Sequence, residues 1–119
     1  MAGVGFYAVP DSRTGDQVMA ALEMLAGANF DAKAFATFLA EQRDLGTKWA
    51  PRYVRVVDAL PVGATNKIDK RPLRADRWET TDPVYWRAPR TETYERFTAA
   101  DAEALRAEFE ANDRANLLL

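Results

Sequence analysis

The chain of 119 residues is 48% apolar and 29% charged, which is typical of one soluble domain with a modest core, and its net charge of −2 argues against a general nucleic-acid binder. It contains no cysteine and no histidine, which excludes disulfides, thiolate metal sites, histidine-based triads and nearly all zinc or non-haem iron sites. No run approaches the length that spans a bilayer and the N-terminus lacks a signal-peptide layout, so a cytosolic protein is expected.

Two β-strands joined by a turn are predicted at the N-terminus. Residues 4–9 are β-favouring and end at Pro10, and residues 11–16 contain the polar and glycine residues of a hairpin connection. Residues 18–25 have helical propensity, but their nearly continuous apolar character after a hairpin turn favours a buried strand. We therefore predict a second strand there.

A helix and a third strand are predicted next. Asp31 is a good N-cap for a helix that runs to about Leu45, where Gly46 would end it. Residues 53–57 are β-favouring and lie between two prolines, which predicts a buried strand. The apolar residues of the helix recur at helical spacing and indicate core packing rather than a ligand site: Phe35, Phe38, Leu39 and Leu45.

The segment after this strand holds the candidate catalytic group. Two residues that break strands are followed by small polar residues, one lysine and one isoleucine: Pro61, Gly63, Thr65, Asn66, Lys67 and Ile68. Such a loop would hold one ammonium group on a short tether, with Ile68 packed behind it. A lysine is a compact point charge that can bridge two anionic oxygens. The alternative is an ordinary solvated basic turn.

The C-terminal part contains two predicted helices. Residues 71–77 fit a short helix with Pro72 in its first turn. Residues 78–96 are irregular and rich in aromatic residues, which either lay a loop across the core or form a contact surface for another domain. Thr98 caps a last helix whose inner stripe is Ala102, Leu105 and Phe109, and residues 112–119 are expected to form a frayed tail.

The order of these parts resembles the closing signature of the adenylate-forming enzymes, which include acyl-CoA synthetases, peptide-synthetase adenylation domains and firefly luciferase. The residues that match are Pro51, Tyr53, Leu60, Pro61, Lys67, Ile68, Leu73 and Arg74. The first hairpin is also similar to that of the family's small C-terminal domain, through Val9, Pro10, Asp11, Gly15 and Asp16. Asn66 replaces the usual glycine before the lysine, and among the other residues asparagine best tolerates the positive φ of such a turn.

The resemblance implies a domain organisation. Residues 1–111 would form the small C-terminal lid of a larger enzyme, an α+β domain with a three-stranded sheet, flanking helices and an additional short two-stranded ribbon. A large N-terminal adenylation domain would bind ATP, Mg²⁺ and the acyl group, in keeping with the lack of a glycine-rich phosphate loop in this sequence. Met1 would then not be the native start, and the fragment alone would be inactive.

The resemblance also implies a reaction. Lys67 would assist the formation of an acyl-adenylate, after which the lid rotates and the thiol of coenzyme A attacks the acyl carbon. The segment from Trp78 to Phe109 looks similar to the tails of bacterial long-chain and very-long-chain acyl-CoA synthetases, which suggests a fatty acid as substrate. The alternatives are a fatty-acyl-AMP ligase, another carboxylate-adenylating enzyme, or a free-standing partner of a separate adenylating subunit.

The basic residues after the loop have two interpretations: Lys70, Arg71, Arg74 and Arg77. They form either a solvated face paired with Asp69 and Asp76, or a contact for the 3′-phosphate of coenzyme A or for the large domain. A competing class is a small basic and aromatic module that binds nucleic acid or protein, although an acidic chain has a poor electrostatic footprint for nucleic acid. No metal ligand is identified in the sequence.

Overall fold

A five-stranded mixed sheet organises the domain. The computed structural model describes residues 3–13, 15–24, 30–31, 33–35, 37, 51–64, 67–87 and 93–118. The strands lie in chain order across the sheet: β1 (Gly3–Pro10), β2 (Asp16–Glu23), β3 (Tyr53–Val57), β4 (Val84–Trp86) and β5 (Glu95–Arg96). The helices that the structure describes from end to end are α1 (Arg71–Asp76), α2 (Ala99–Ala111) and a 3-10 helix (Ala115–Leu118). The predicted α+β class is confirmed.

The first two strands form the predicted hairpin. β1 and β2 are antiparallel, with Phe6 opposite Ala20. Their turn closes through a bond from Asp11 N–H to the carbonyl of Gly15, whose φ of +61° suits a residue without Cβ. β2 then pairs with β3 in parallel. Residues 19–22 of β2 are at most 1% exposed, which explains why this strand is apolar on both faces.

The number of strands differs from the expectation. β4 and β5 continue the same sheet next to β3. The expectation was an irregular segment there, and a sheet of three strands with an additional short ribbon. Strands of three and two residues are too short to give a recognisable alternating pattern. The ladder begins beside Pro83, whose carbonyl accepts a bond from Val56 N–H.

The sheet has an apolar cluster on each face. On one face Tyr53 stacks on Trp78 with ring centroids 5.1 Å apart, and Leu105 and Phe109 of α2 cover them. The other face carries the second cluster: Leu22, Phe35, Val54 and Tyr94. Trp78 and Tyr94 are each 5% exposed, so these two aromatic residues pack in the core, as the first interpretation of their segment predicted.

The predicted helix after residue 30 is described only in part. Residues 33–35 and 37 are helical, and Asp31 Oδ1 accepts bonds from the N–H groups of Lys33 and Ala34. The predicted N-cap is therefore confirmed. The predicted end near Leu45, and Phe38 and Leu39 of the stripe, lie outside the described residues.

The C-terminal elements are tied to the rest of the domain. Thr98 and Asp101 form a reciprocal capping box at the start of α2, as predicted. The expectation of a frayed tail is wrong for the described residues 112–118. Leu118 is 7% exposed and its carbonyl accepts a bond from the buried Arg77, while Arg114 Nε donates to the carbonyl of Asp11. In the described part of the chain, no helix is both long and apolar enough to cross a membrane.

Candidate functional site

The loop that carries Lys67 is closed at its base by backbone bonds. We call residues 60–69 the lysine loop. Val62 and Ile68 form an antiparallel bridge, and Gly63 N–H donates to the carbonyl of Lys67 at 2.8 Å. Nearer the base of the loop, Asp69 N–H donates to the carbonyl of Pro61, also at 2.8 Å. The position of the Lys67 backbone is therefore fixed by the opposite strand of its own loop.

Two glycines of β1 seat the lysine loop on the sheet. A Cβ on Gly5 would lie 3.4 Å from Ile68 Cγ2, and a Cβ on Gly3 would lie 3.2 Å from Leu60 Cδ1. Ile68 packs against the core and Leu60 is 9% exposed, so both ends of the loop are anchored. Ile68, the residue after Lys67, therefore packs against β1 and the core.

Lys67 itself is exposed. Among the residues that the structure describes, no carboxylate forms an ion pair with it. Its neighbour Val62 is 57% exposed, a large value for an apolar side chain. Thr65 and Asn66 lie outside the described residues, so the predicted positive φ at Asn66 stays a prediction.

An ion pair closes the end of the lysine loop. Arg71 binds Asp69 with both nitrogens, Nε to Oδ1 at 3.0 Å and Nη2 to Oδ2 at 2.9 Å, and its backbone N–H also donates to Oδ1. These bonds, first from the guanidinium and then from the backbone, lower the pKa of Asp69 to about 2. The carboxylate thus remains charged at neutral pH and accepts the N–H of Arg71, the first residue of α1.

The other basic residues of this region are in different environments. Lys70 is half-buried at the N-cap of α1 and Arg74 is exposed in its last turn. Neither has an ion-pair partner among the described residues. Asp76, one of the predicted partners of the basic face, instead binds Arg55 of β3. The predicted pairing therefore holds for Arg71 with Asp69 only.

Two anchoring interactions could not be predicted from the sequence. Glu23, the last residue of β2, accepts a bond from the backbone N–H of Leu60 at 2.8 Å through Oε1. Arg55 binds Asp76 at the end of α1 and Asp82 before β4, with Nη–Oδ2 distances of 3.1 and 2.8 Å. The sequence does show an acid, Glu23, at the end of one apolar strand and an arginine, Arg55, within another. Neither pattern indicates which residue the side chain binds. Arg55, Asp76 and Asp82 line part of a cleft of about 380 Å³ between the chain that follows β3 and α1.

Comparison with known proteins supports one family. The chain is 44% identical over 119 residues to the steroid-22-oyl-CoA synthetase of Rhodococcus jostii (strain RHA1), a match that covers 99% of this chain and 21% of that protein. It is 51% identical over 82 residues to the medium/long-chain-fatty-acid–CoA ligase FadD17 of Mycobacterium marinum, covering 69% of this chain and 16% of that ligase. No family model matches the sequence.

The fold, the lysine loop and these relatives agree on the class of protein, which is the adenylate-forming enzymes. Within that class, the relatives that match are acyl-CoA ligases, and a match to only part of their length is consistent with a C-terminal domain. The chain spans about one fifth of the length of the first of these relatives and less of the second.

Proposed function

We propose that this chain is the mobile small domain of an AMP-forming fatty-acid–CoA ligase and that Lys67 is its catalytic residue. Lys67 would act in the first half-reaction, in which a carboxylate oxygen of the fatty acid attacks the α-phosphorus of ATP. The bond between the α-phosphorus and the bridging oxygen breaks, and pyrophosphate leaves. In the second half-reaction the thiol of coenzyme A attacks the acyl carbon and AMP leaves.

The observation that carries this proposal is the presentation of Lys67. Its backbone is fixed by the bond between Gly63 N–H and its own carbonyl and by the seating of Ile68 on β1, while its side chain is exposed. A fixed, unpaired cation can approach a site on another domain without first breaking a salt bridge. The exposed Val62 beside it supports contact between the loop and a second domain.

The chemical role of Lys67 follows from the charges of the reactants. A carboxylate and a polyphosphate repel each other, and the transition state concentrates negative charge at the α-phosphate. An ammonium group aimed at both offsets this repulsion and favours in-line attack. We place ATP and magnesium mainly on the large domain; among the described residues, no group of three acidic side chains could hold a metal ion.

The test is to separate the two half-reactions in the complete ligase. Lys67→Ala should lower the rate of acyl-adenylate formation by about 10²–10³-fold, as expected for the loss of one preorganised charge-stabilising donor. Thioester formation from a supplied acyl-adenylate should continue, because in the family that the chain resembles the lid rotates and removes this lysine before the second step. Lys33→Ala, which removes an exposed lysine beside the helix N-cap Asp31, is the matched control. Equal loss of both half-reactions in Lys67→Ala would contradict the proposed role.

The basic residues after the loop divide into two groups. Arg71 is held by Asp69, whereas Lys70 and Arg74 have no ion-pair partner in the described part of the chain. We therefore propose Lys70 and Arg74, rather than Arg71, as contacts for the 3′-phosphate of coenzyme A. Arg74→Gln should raise the Michaelis constant for coenzyme A about fivefold, the size of one exposed ion pair, and should leave the constant for 3′-dephospho-coenzyme A unchanged. Arg71→Gln is the control; an equal effect of both variants would remove this assignment.

The acyl acceptor and substrate are proposed from the relatives. One is named for a steroid-22-oyl group and the other for medium- and long-chain fatty acids, and both are named for coenzyme A. These names support coenzyme A over a carrier protein as acceptor, and an extended apolar carboxylic acid as substrate. Product analysis of the complete ligase with both acceptors distinguishes this proposal from a fatty-acyl-AMP ligase.

A further inference from the structure

We infer that Glu23 is a positioning residue for the adenylation step, because its carboxylate fixes the start of the lysine loop. This inference rests on the proposed function of Lys67 and deepens it. Glu23 does not reach the substrate; it acts through the backbone of Leu60.

The contact lies where the sheet stops supplying hydrogen-bond partners. β3 ends at Val57, opposite Glu23 in the parallel ladder, and the chain then turns away toward Leu60. Leu60 is 9% exposed, and its N–H donates to Glu23 Oε1 at 2.8 Å. A buried N–H without an acceptor is strongly unfavourable, and a charged acceptor makes a stronger bond than a neutral one. The carboxylate therefore determines where the chain leaves the sheet.

The position of Leu60 is transmitted to Lys67 through two backbone bonds. The carbonyl of Pro61, the next residue, accepts the N–H of Asp69, and the N–H of Gly63 donates to the carbonyl of Lys67. Movement of Leu60 would thus shift both strands of the loop. Because the reacting atoms must be aligned within a fraction of an ångström, a small shift of the ammonium group lowers the rate.

The test compares four variants of the complete ligase in both half-reactions. Glu23→Ala should lower the rate of adenylation about tenfold or more, with an unchanged Michaelis constant for ATP and an unchanged thioester-forming step. Glu23→Gln keeps an acceptor oxygen and should recover most of the rate. Asp58→Ala removes an exposed acid one residue beyond β3, which has no hydrogen bond among the described residues, and should have no effect. Lys67→Ala shows how much adenylation rate is lost when the catalytic lysine itself is removed.

Amide hydrogen exchange of the same ligase supplies a readout besides activity. The Leu60 amide should be protected in the parent protein, exposed to exchange in Glu23→Ala and protected again in Glu23→Gln. Equal loss of both half-reactions in Glu23→Ala would indicate general destabilisation and overturn the inference. An impaired Lys67→Ala beside an unaffected Glu23→Ala overturns the inference alone, whereas an unaffected Lys67→Ala overturns the proposed function itself.

Discussion

Replacement of Arg55 by methionine should destabilise the domain through the loss of one ion cluster. Arg55 lies on β3 with its side chain 12% exposed, and it joins Asp76 at the end of α1 to Asp82 before β4. Methionine keeps most of the length of the side chain and its apolar contacts, so the lost stability reports mainly the charge interactions.

The magnitude follows from the exposure of the two acids. Arg55 Nε lies 3.0 Å and Nη2 2.8 Å from Oδ2 of Asp82, which is 35% exposed. Its Nη1 lies 3.1 Å from Asp76, which is 50% exposed. The pair of Arg55 with Asp76 should therefore contribute no more stability than an ordinary surface ion pair. Both acids can be hydrated after the arginine is lost, so the larger penalty of a stranded buried charge does not apply. The sum is about 2 kcal/mol, of which Asp82 contributes most.

Urea and thermal unfolding of the chain measure this effect. A loss of about 2 kcal/mol corresponds to a fall in Tm of about 8 °C for a domain of this size. Arg71→Met is the matched control, because it breaks a bidentate pair of similar geometry whose arginine is 85% exposed, and its Tm should stay close to that of the parent. A double-mutant cycle of Arg55→Met with Asp82→Asn should show that the interaction between Arg55 and Asp82 accounts for most of the lost stability. If the two arginine variants lost equal stability, burial would not be the deciding factor and the reasoning would be refuted.

Three further predictions concern the loop and the titration of single groups. The folded-state pKa of Asp69, about 2, lies below its ordinary value of 3.8, so its contribution to stability should be present above pH 4 and be lost as the pH falls toward 2. The free energy of unfolding of Asp69→Asn should therefore depend less steeply on pH in this range than that of the parent, which acid unfolding measures. Burial raises the pKa of Tyr94 to about 12, so the contribution of this residue to stability should be complete below pH 10 and be lost as the pH rises toward 12. The difference in phenolate absorbance between the parent and Tyr94→Phe measures the ionisation of Tyr94. Gly5→Val should displace Ile68 and lower the adenylation rate of the complete ligase selectively, while Gly5→Ala, whose Cβ would be in ordinary contact at 3.4 Å, should retain it; equal rates in the two variants would contradict the seating of the loop.

Most elements with a strong local pattern could be predicted from the sequence. The β1–β2 turn has a glycine where φ is positive, and Thr98 with Asp101 forms a capping box before an apolar stripe. In both cases the residues that decide the structure are neighbours in the chain. The same holds for the Leu-Pro turn and the isoleucine behind Lys67, which made the lysine loop recognisable.

The features that could not be predicted depend on contacts between distant residues. β4 is a three-residue strand that exists because β3 offers it a partner. The tail packs because Arg77 reaches the carbonyl of Leu118, a contact over 41 residues. Glu23 and Leu60 are likewise 37 residues apart. A propensity or a periodic pattern contains no information on such pairs, since each residue alone is typical of a solvated surface or a chain end.

The contacts around Lys67 bear on how the proposed enzyme would change between its two half-reactions. Leu60 is held by Glu23 of β2, Ile68 is seated on β1, and Asp69 is bound to Arg71 of α1, so the loop is attached to three elements of its own domain. Moving the lysine without the rest of the domain would break several of these contacts among the described residues of the loop. The lysine would therefore leave the nucleotide only if the sheet moved with it. This geometry favours rotation of the whole small domain over rearrangement of the loop, and it explains why a change on β2, far along the chain from Lys67, should alter one half-reaction and not the other.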